Sequence, residues 1–233
     1  MSRVLLKVSG ELLAGKRGYG HDPGIISALA SDICAVHKSG IQICLVVGGG
    51  NIYRGSYGIP NIEKATGDYM GMLGTVINAL ALQAAIEGLG VQSRVQSAVS
   101  MPSVCETYVR RKAVRHMEKG RVVIFAAGTG NPFFTTDTAA VLRAIETGCQ
   151  KMLKGTLVDG VYSDDPKKNS SAKKIESLSY TEVLSKNLRV LDSSAVSLAR
   201  DNSLPIIIFA LNKKDAFSNV MNNKSSFSVI KGD

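Results

Sequence analysis

Lys7-Val8-Ser9-Gly10 sets a cation at the end of an apolar run and follows it with a hydroxyl and a glycine. A lysine amid an apolar strand is costly to bury unless it meets an anion. The tetrapeptide therefore has two readings. Either Lys7 stands at a strand tip and snorkels to water, or its ammonium reaches a phosphate, with the Ser9 and Gly10 backbone N–H groups as further donors. Two more glycine-rich turns, Gly48-Gly49-Gly50 and Gly128-Thr129-Gly130-Asn131-Pro132, suit the close backbone approach that phosphate binding needs. Phosphate handling is the chemistry these residues favour.

Two familiar phosphate motifs do not apply. Gly10-Glu11-Leu12-Leu13-Ala14-Gly15-Lys16 satisfies GxxxxGK, but Arg17 follows where a P-loop needs Ser or Thr for Mg²⁺. Leu12 and Leu13 are also awkward in a loop that must wrap phosphate. Gly48-Gly49-Gly50-Asn51-Ile52-Tyr53-Arg54-Gly55 lacks the GxGxxG spacing of a dinucleotide fold, and no acidic residue ends a matching second strand. Hydride transfer is disfavoured.

The elements that must position these turns alternate along the chain as strand and helix, the pattern of a mainly parallel sheet covered by helices. Strands are expected at Val4–Val8, Ile41–Val47, Val91–Val95, Val122–Ala126 and Pro205–Phe209, with a final pair ending at Phe227–Ile230. A helix capped by Asp22, with Pro23 in its first turn, carries Ile25, Leu29, Ile33 and Val36 on one face and stops at Gly40. Further helices are expected at Gly67–Glu87, Val104–Met117, Asp137–Thr147, Thr181–Lys186 and Ala195–Asp201, with a polar surface loop at Asp164–Lys174. The glycine turns then fall where strands end, which is where open α/β sheets bind ligands.

The helix at Gly67–Glu87 carries Met70, Leu73, Val76, Ile77, Leu80 and Ala81, widened by Met72 and Ala84. That exceeds a single stripe, so its excess apolar surface is buried either in the monomer or at a subunit contact.

Composition narrows the field. The chain has 233 residues, 45% of them hydrophobic, enough for one substantial core in one domain. No uninterrupted apolar run nears the roughly 18 residues of a membrane span, and the N-terminus opens into a strand without a signal-peptide pattern, which favours a cytoplasmic protein. Cys34, Cys44, Cys105 and Cys149 are scattered, as are His21, His37 and His116, so no Cys/His metal site is expected. The net charge of +9 implies anionic partners. Arg110-Arg111-Lys112, Arg115 and Lys119 read first as a solvated helix face, and Tyr108 alone is thin support for a nucleic-acid surface.

Several segments taken in order carry a specific resemblance. Lys7-Val8-Ser9-Gly10-Glu11, Val47 to Gly55, Asp68-Tyr69-Met70-Gly71-Met72 and, most diagnostic, Ala127-Gly128-Thr129-Gly130-Asn131-Pro132-Phe133-Phe134-Thr135-Thr136-Asp137 resemble successive signatures of bacterial UMP kinases, members of the amino-acid-kinase family. Leu153-Lys154-Gly155-Thr156, Val158-Asp159-Gly160-Val161-Tyr162 and Asp165-Pro166 resemble that family's ATP-side segment. The resemblance implies a three-layer α/β/α sandwich with a mainly parallel central sheet. It also implies transfer of the ATP γ-phosphoryl group to UMP, with Mg²⁺ accompanying ATP.

By that resemblance, UMP is held by Gly49, Asp68 and Thr129, Gly130, Asn131, Pro132, Phe133, Phe134, Thr135 and Thr136, in a half spanning about 1–150. ATP is held by Lys7, Val8, Ser9, Gly10, Gly50, Arg54, Thr156, Tyr162 and Asp165, completed by the half at about 151–233. Lys7 and Arg54 meet transferring charge, while Asp137 and Asp192 orient Lys7 or a Mg²⁺-bound water. No side chain is assigned to the metal. Gly15, Lys16, Arg17, Gly18, Tyr19 and Gly20 resemble a segment tied to GTP activation, with a different charge pattern. GTP and UTP effectors and a homohexamer, a trimer of dimers, are expected on the same ground.

The chemistry is consistent with these assignments. A carboxylate at Asp68 can accept from both ribose hydroxyls, although it also reads as an N-cap or first-turn acid. Thr129 and Asn131 can read a base edge. Thr135 and Thr136 can donate to a phosphate at a helix start, or simply cap the helix. Phe133 and Phe134 read more readily as packing than as base-stacking. A UMP phosphate, with a second pKa of about 6, needs no general base, so the missing His–Asp pair is no obstacle. The loop from Ser56 to Thr66 is shorter than the family pattern. The alternatives are a carboxylate kinase of the same fold and a nucleotide or nucleic-acid binder without activity.

Overall fold

The computed structural model describes residues 2–54, 61–164, 169, 171–188 and 190–232. Its strands are β1 (Arg3–Val8), β2 (Gln42–Val47), β3 (Ser93–Ser97), β4 (Glu106–Thr107), β5 (Val122–Ala126), β6 (Lys151–Thr156), β7 (Val161–Tyr162), β8 (Lys174–Ile175), β9 (Ser177–Ser179), β10 (Ile206–Ala210) and β11 (Phe227–Lys231). The helices are α1 (Gly10–Ala14), α2 (Pro23–Lys38), α3 (Lys64–Gly88), α4 (Arg110–Glu118), α5 (Thr136–Glu146), α6 (Tyr180–Ser185), α7 (Ser193–Asp201) and α8 (Ala216–Met221).

Nine strands form one sheet in the order β4-β3-β5-β2-β1-β6-β10-β11-β9, and β7 pairs with β8 in a separate ribbon. Every pairing in the large sheet is parallel except β10 with β11. Side chains alternate across a strand, and β1 shows the consequence. Val4, Leu6 and Val8 enter one core with residues of α1, α2, α3 and α8, while Leu5 enters the opposite core with residues of α4, α5, α6 and α7. The expected α/β/α sandwich is present. Lys7 has the parity of Leu5 and so lies on the α5 side.

The reading from sequence holds for most elements and departs in particular places. Asp22 caps α2 as expected, accepting from the Gly24 and Ile25 N–H groups at 2.9 and 3.2 Å. The run over Gly10–Ala14 is a short helix, with Leu12 and Leu13 buried; burial, rather than phosphate wrapping, accounts for the two leucines. The helix expected from Val104 begins only at Arg110, because Glu106 and Thr107 pair as a strand with Gln96 and Ser97. The strand expected at Val91–Val95 lies two residues later, at Ser93–Ser97. Helix α8 was not anticipated; its N-cap, Asp215, is left-handed and caps nothing with its side chain. Of the loops at 56–66 and 164–174, residues 56–60, 165–168 and 170 lie outside the described residues.

Helix α3 has the length and composition of a membrane span, with an 18-residue window of mean hydropathy 1.4. Met72, Val76, Ala79, Leu82 and Ile86 nonetheless pack in the sheet core.

Buried Asp32 of α2 supplies the cap that α8 lacks, accepting from the Phe217 N–H at 2.7 Å and the Ser218 N–H at 2.9 Å. Losing such a cap costs about 1–2 kcal/mol. Asp32→Ala is expected to lower stability by about that amount or more, measured as a shift in the urea midpoint with unchanged slope; an unmoved midpoint would show that α8 is held by its apolar residues alone.

Candidate active site

The site grows from the C-terminal edge of the parallel strands. β1 runs beside β6 in a register that pairs Lys7 with Lys154, and Met152, with the parity of Lys154, packs in the α5-side core. Both ammonium groups meet one carboxylate at the start of α5. Lys7 Nζ lies 2.8 Å from Asp137 Oδ1, and Lys154 Nζ lies 2.5 Å from Asp137 Oδ2. Lys154 also donates to the Val190 carbonyl. Each carboxylate oxygen of Asp137 thus faces one ammonium group. Lys7 does not snorkel to water: it is 8% exposed.

Burial pushes the Asp137 carboxyl up, but the charges of Lys7 and Lys154 outweigh it and hold the group below the ordinary carboxylate value. Lys154 is pushed below the ordinary lysine value by burial and partly restored by Asp137. A buried charge must be paired, and here Asp137 holds both ammonium groups while the charge of Asp192 also acts on Lys154.

Asp192 and Thr135 join the same cluster. Asp192 caps α7, accepting from the Ala195 N–H at 2.9 Å, and also accepts from the Thr138 hydroxyl at 2.8 Å and from the Thr135 hydroxyl. Thr135 in turn caps α5, accepting from the Asp137 N–H at 3.0 Å. Asp192 is therefore a structural cap that also touches the site, while Asp137 is no cap.

Next to this cluster opens a cavity of about 190 Å³ lined by Gly49, Gly50, Asp68, Thr129, Phe134, Thr135 and Thr136, together with Tyr53, Gly67, Gly71, Met72, Thr75 and Gly128. Gly49 is required there, because a Cβ would overlap the Gly71 carbonyl and sit 3.0 Å from the Thr75 nitrogen. Gly10 is equally constrained, since a Cβ would lie 2.7 Å from both Asn51 Oδ1 and the Gly48 carbonyl. The loop is fixed from behind by a buried amide on α3. Asn78 donates to the Gly48 carbonyl and to Asn51 Oδ1, both at 2.6 Å, and its Oδ1 meets His21 Nε2 at 2.6 Å. Thr75 of the same helix accepts from the Ala127 N–H at 2.7 Å, steadying the strand exit where Ala127 takes φ +59°.

Asp68 lies in the second turn of α3, neither N-cap nor first-turn acid. It accepts from the Phe133 N–H at 2.7 Å and from Lys64 at 2.9 Å. Burial pushes it up, but the Phe133 N–H and the Lys64 ammonium outweigh that and leave its pKa below the ordinary value. Phe133 and Phe134 do not pack into the core. They are 68% and 51% exposed, and the Lys64 ammonium stands 5.3 Å from the Phe133 ring centre. Thr129 and Asn131 turn on one another, with the Asn131 N–H donating to Thr129 Oγ1 at 3.2 Å. Gly130, Asn131, Pro132 and Phe133 are not among the residues lining the cavity.

On the other side, Arg54 pairs with Glu11. Val8 pairs with Gly155, one residue before Thr156, whose hydroxyl donates to the Val158 carbonyl at 2.5 Å. Tyr162 stands in the β7–β8 ribbon and donates to Asp159 Oδ1 at 2.7 Å. Asp165 lies outside the described residues. The segment Gly15–Arg17 is a single 3-10 turn, and the Gly20 N–H donates to the Asn51 carbonyl at 2.8 Å, joining that segment to the glycine loop. Tyr19 is exposed.

Lys154, Tyr53, Gly71 and Thr75 were not singled out as site residues from sequence. A second lysine inside an apolar strand was the available signal for Lys154. The small residues Gly67, Gly71 and Thr75, spaced by four on α3, were the signal for the cavity floor. Among the described residues, no group of three or more His, Cys, Asp or Glu side chains could hold a metal.

An α/β/α fold that sets buried Lys7 and partly buried Lys154 on one carboxylate, beside a glycine-lined cavity at the strand ends, is the architecture of an anion-binding site that does not use a P-loop. The Amino acid kinase family profile matches residues 2–210. Over its whole length the chain is 67% identical to a uridylate kinase of Neorickettsia sennetsu, with all of both chains covered. It is 58% identical to one from Anaplasma phagocytophilum, covering 99% of this chain and 95% of that one. The crystal structure of UMP kinase from Ureaplasma parvum superposes with TM-score 0.95 at 35% identity, covering 99% of this chain and 98% of that one. UMP kinase from Bacillus anthracis does so with TM-score 0.94 at 36% identity, covering 100% and 96%. The chain belongs to the amino acid kinase family and, within it, to the uridylate kinase group.

Removing a group that meets developing charge typically costs about 3 kcal/mol in the barrier. Lys7→Ala is accordingly expected to lower kcat about 100-fold or more. Turnover within about threefold of the parent, in protein with native circular dichroism, would remove Lys7 from the machinery.

Proposed function

We propose that this chain transfers the γ-phosphoryl group of ATP to UMP, giving UDP and ADP, in cytoplasmic pyrimidine nucleotide synthesis. The observation that carries the reading is the Lys7–Asp137–Lys154 cluster beside the cavity lined by Asp68, Thr129 and Thr135, reinforced by full-length identity to proteins called uridylate kinase.

UMP occupies the cavity in this reading. Its ribose hydroxyls take the place of Phe133 N–H or Lys64 on the Asp68 carboxylate. Its base meets Thr129 and Asn131, and its phosphate faces Thr135 and Thr136 at the start of α5, where the helix dipole favours an anion. Pro132 and Gly130 shape that turn, and Phe133 and Phe134, exposed in the structure, are available to cover the nucleotide. ATP lies opposite, along Lys7, Val8, Ser9, Gly10, Gly50 and Arg54, and reaches Thr156, Tyr162 and Asp165 in the later half of the chain.

The acceptor is already ionised, so the chain's task is to bring two anions together and to hold positive charge beside the moving group. Lys7 supplies that charge directly, and Lys154 keeps Asp137 ionised so that Lys7 is aimed rather than free. Mg²⁺ bound with ATP would neutralise charge on the phosphate oxygens. The residues fit it in one respect: the carboxylates of Asp137 and of Asp192, joined through Thr135, could accept from a metal-bound water.

A coupled ADP-release assay with UMP, CMP and acetylglutamate tests this. UMP should be preferred strongly, because a site that hydrogen-bonds one base edge leaves polar groups unpaired with another. Equal turnover of UMP and CMP below saturation would defeat the assignment, and turnover of acetylglutamate alone would make the chain a carboxylate kinase.

Assembly belongs to the same proposal. Tyr69, Leu73 and Ile77 form an outward apolar stripe on α3, each close to half exposed, and such a stripe fits a contact with a second copy. A homohexamer, as a trimer of dimers, would cover it. GTP and UTP would act on that assembly, with Gly15–Gly20 one candidate segment through its bond to Asn51. Light scattering should report roughly six times the chain mass of 24.7 kDa; a monomer at working concentration would refute the assembly.

A further inference from the structure

Two of the four thiols, scattered in sequence, lie against one another where phosphoryl transfer does not use them. Cys44 is on β2 and points to the α5 side of the sheet, while Cys149 stands between α5 and β6. Their Sγ atoms are 3.6 Å apart across a separation of 105 positions. Thr147 completes the cluster, its Oγ1 3.5 Å from Cys149 Sγ and 3.9 Å from Cys44 Sγ. Arg3 donates to the Thr147 carbonyl and so brings a cation to the same corner.

The two sulfurs have unlike environments. Burial and the neighbouring Cys149 push the Cys44 thiol well up. The hydrogen bond from Cys44 leads in holding the Cys149 thiol below its ordinary value despite burial, and Arg3 adds to the effect. The other thiols lack such a partner in these contacts: Cys34 is raised by burial and bonds weakly to the Ile86 carbonyl, and half-buried Cys105 is also raised. Buried cysteines are ordinarily inert. Cys149 is 8% exposed against 0% for Cys44, so a small oxidant reaches it first, and the second sulfur in van der Waals contact stands where a resolving cysteine would.

We propose that Cys44 and Cys149 close to an internal disulfide when the protein meets a hydroperoxide. The Cys149 sulfur attacks the peroxide oxygen, breaking the O–O bond. This forms a sulfenic acid and releases water from hydrogen peroxide, or an alcohol from an organic peroxide. The Cys44 sulfur then attacks the sulfenic sulfur, and its proton leaves with the hydroxyl as a second water. The thiols give up two electrons and two protons, and the peroxide takes them. The sulfurs must approach by about 1.5 Å to reach bonding distance, a movement on the scale of side-chain torsions. The bond would tie β2, which leads to the Gly48–Gly50 loop, to the chain entering β6, which carries Lys154. It lies toward the end of the sheet remote from the cavity.

The test is peptide mapping of the whole native protein after treatment with about one equivalent of hydrogen peroxide, with free thiols alkylated before digestion. The expected product is a Cys44–Cys149 cross-linked peptide that dithiothreitol reverses, with Cys34 and Cys105 still alkylated. Oxidation falling first on Cys105, or Cys149 driven to sulfinic acid while Cys44 remains alkylatable, would overturn the proposal, as would a cross-link between two chains. Cys44→Ser gives a second reading: without its resolving partner, Cys149 should accumulate a sulfenic acid captured by dimedone. Folded variant without that adduct would equally overturn the proposal.

Discussion

Two ammonium groups and one carboxylate, all withdrawn from water, meet where β1 and β6 run side by side. Taking three charges out of solvent is unfavourable unless each finds its partner, and the parallel register supplies that condition by setting Lys7 opposite Lys154. Helix α5 must then begin where Asp137 can reach both, which places the Thr135 cap, the Thr138 hydroxyl and Asp192 of α7 in one connected cluster. The result is a balanced cluster of two ammonium groups and two carboxylates at the mouth of the strands, with its geometry fixed before any nucleotide arrives. Electrostatic preorganisation of this kind spares reorganisation when charge develops.

The glycine loops are held by the opposite layer through neutral hydrogen bonds. Asn78 is fully buried on α3 and spends its amide on the Gly48 carbonyl and on Asn51. Buried amides are tolerated only when satisfied, so the close approach of Gly10 to Gly48 and Asn51 and the fixed orientation of Asn78 depend on one another. One layer thus provides charge and the other provides shape.

How much of this was legible in the sequence depends on the range of the interaction. Asp22-Pro23 and the apolar period that follows made α2 readable, because a cap and its helix are local. The strand ends were readable from Gly48–Gly50 and Gly128–Gly130. Asp137, 130 positions away, came to Lys7 only through the family resemblance, and Lys154, which only sheet register brings beside them, was not legible. The same holds for Cys44 with Cys149, and for Asp32 with α8, whose left-handed Asp215 offers no local cap. Phe133 and Phe134 show the converse error. Apolar type suggested packing, yet Phe133 stands at φ +71° in an exposed turn where its backbone N–H serves Asp68, and Phe134, half exposed, lines the cavity rather than the core.

Helix α3 carries Gly67, Gly71 and Thr75 toward the cavity and Tyr69, Leu73 and Ile77 away from it. A rigid rod that is a pocket wall on one side and an exposed apolar stripe on the other cannot roll about its axis without altering both. If the proposed assembly covers that stripe, linkage works in either direction: a ligand that favours one roll of α3 changes how tightly copies of the chain hold together, and dilution that separates the copies changes how tightly the ligand is held, by the same factor. Nucleotide affinity measured at nanomolar protein would accordingly be a different constant from that measured at crystallisation concentrations, with no residue of the pocket changed.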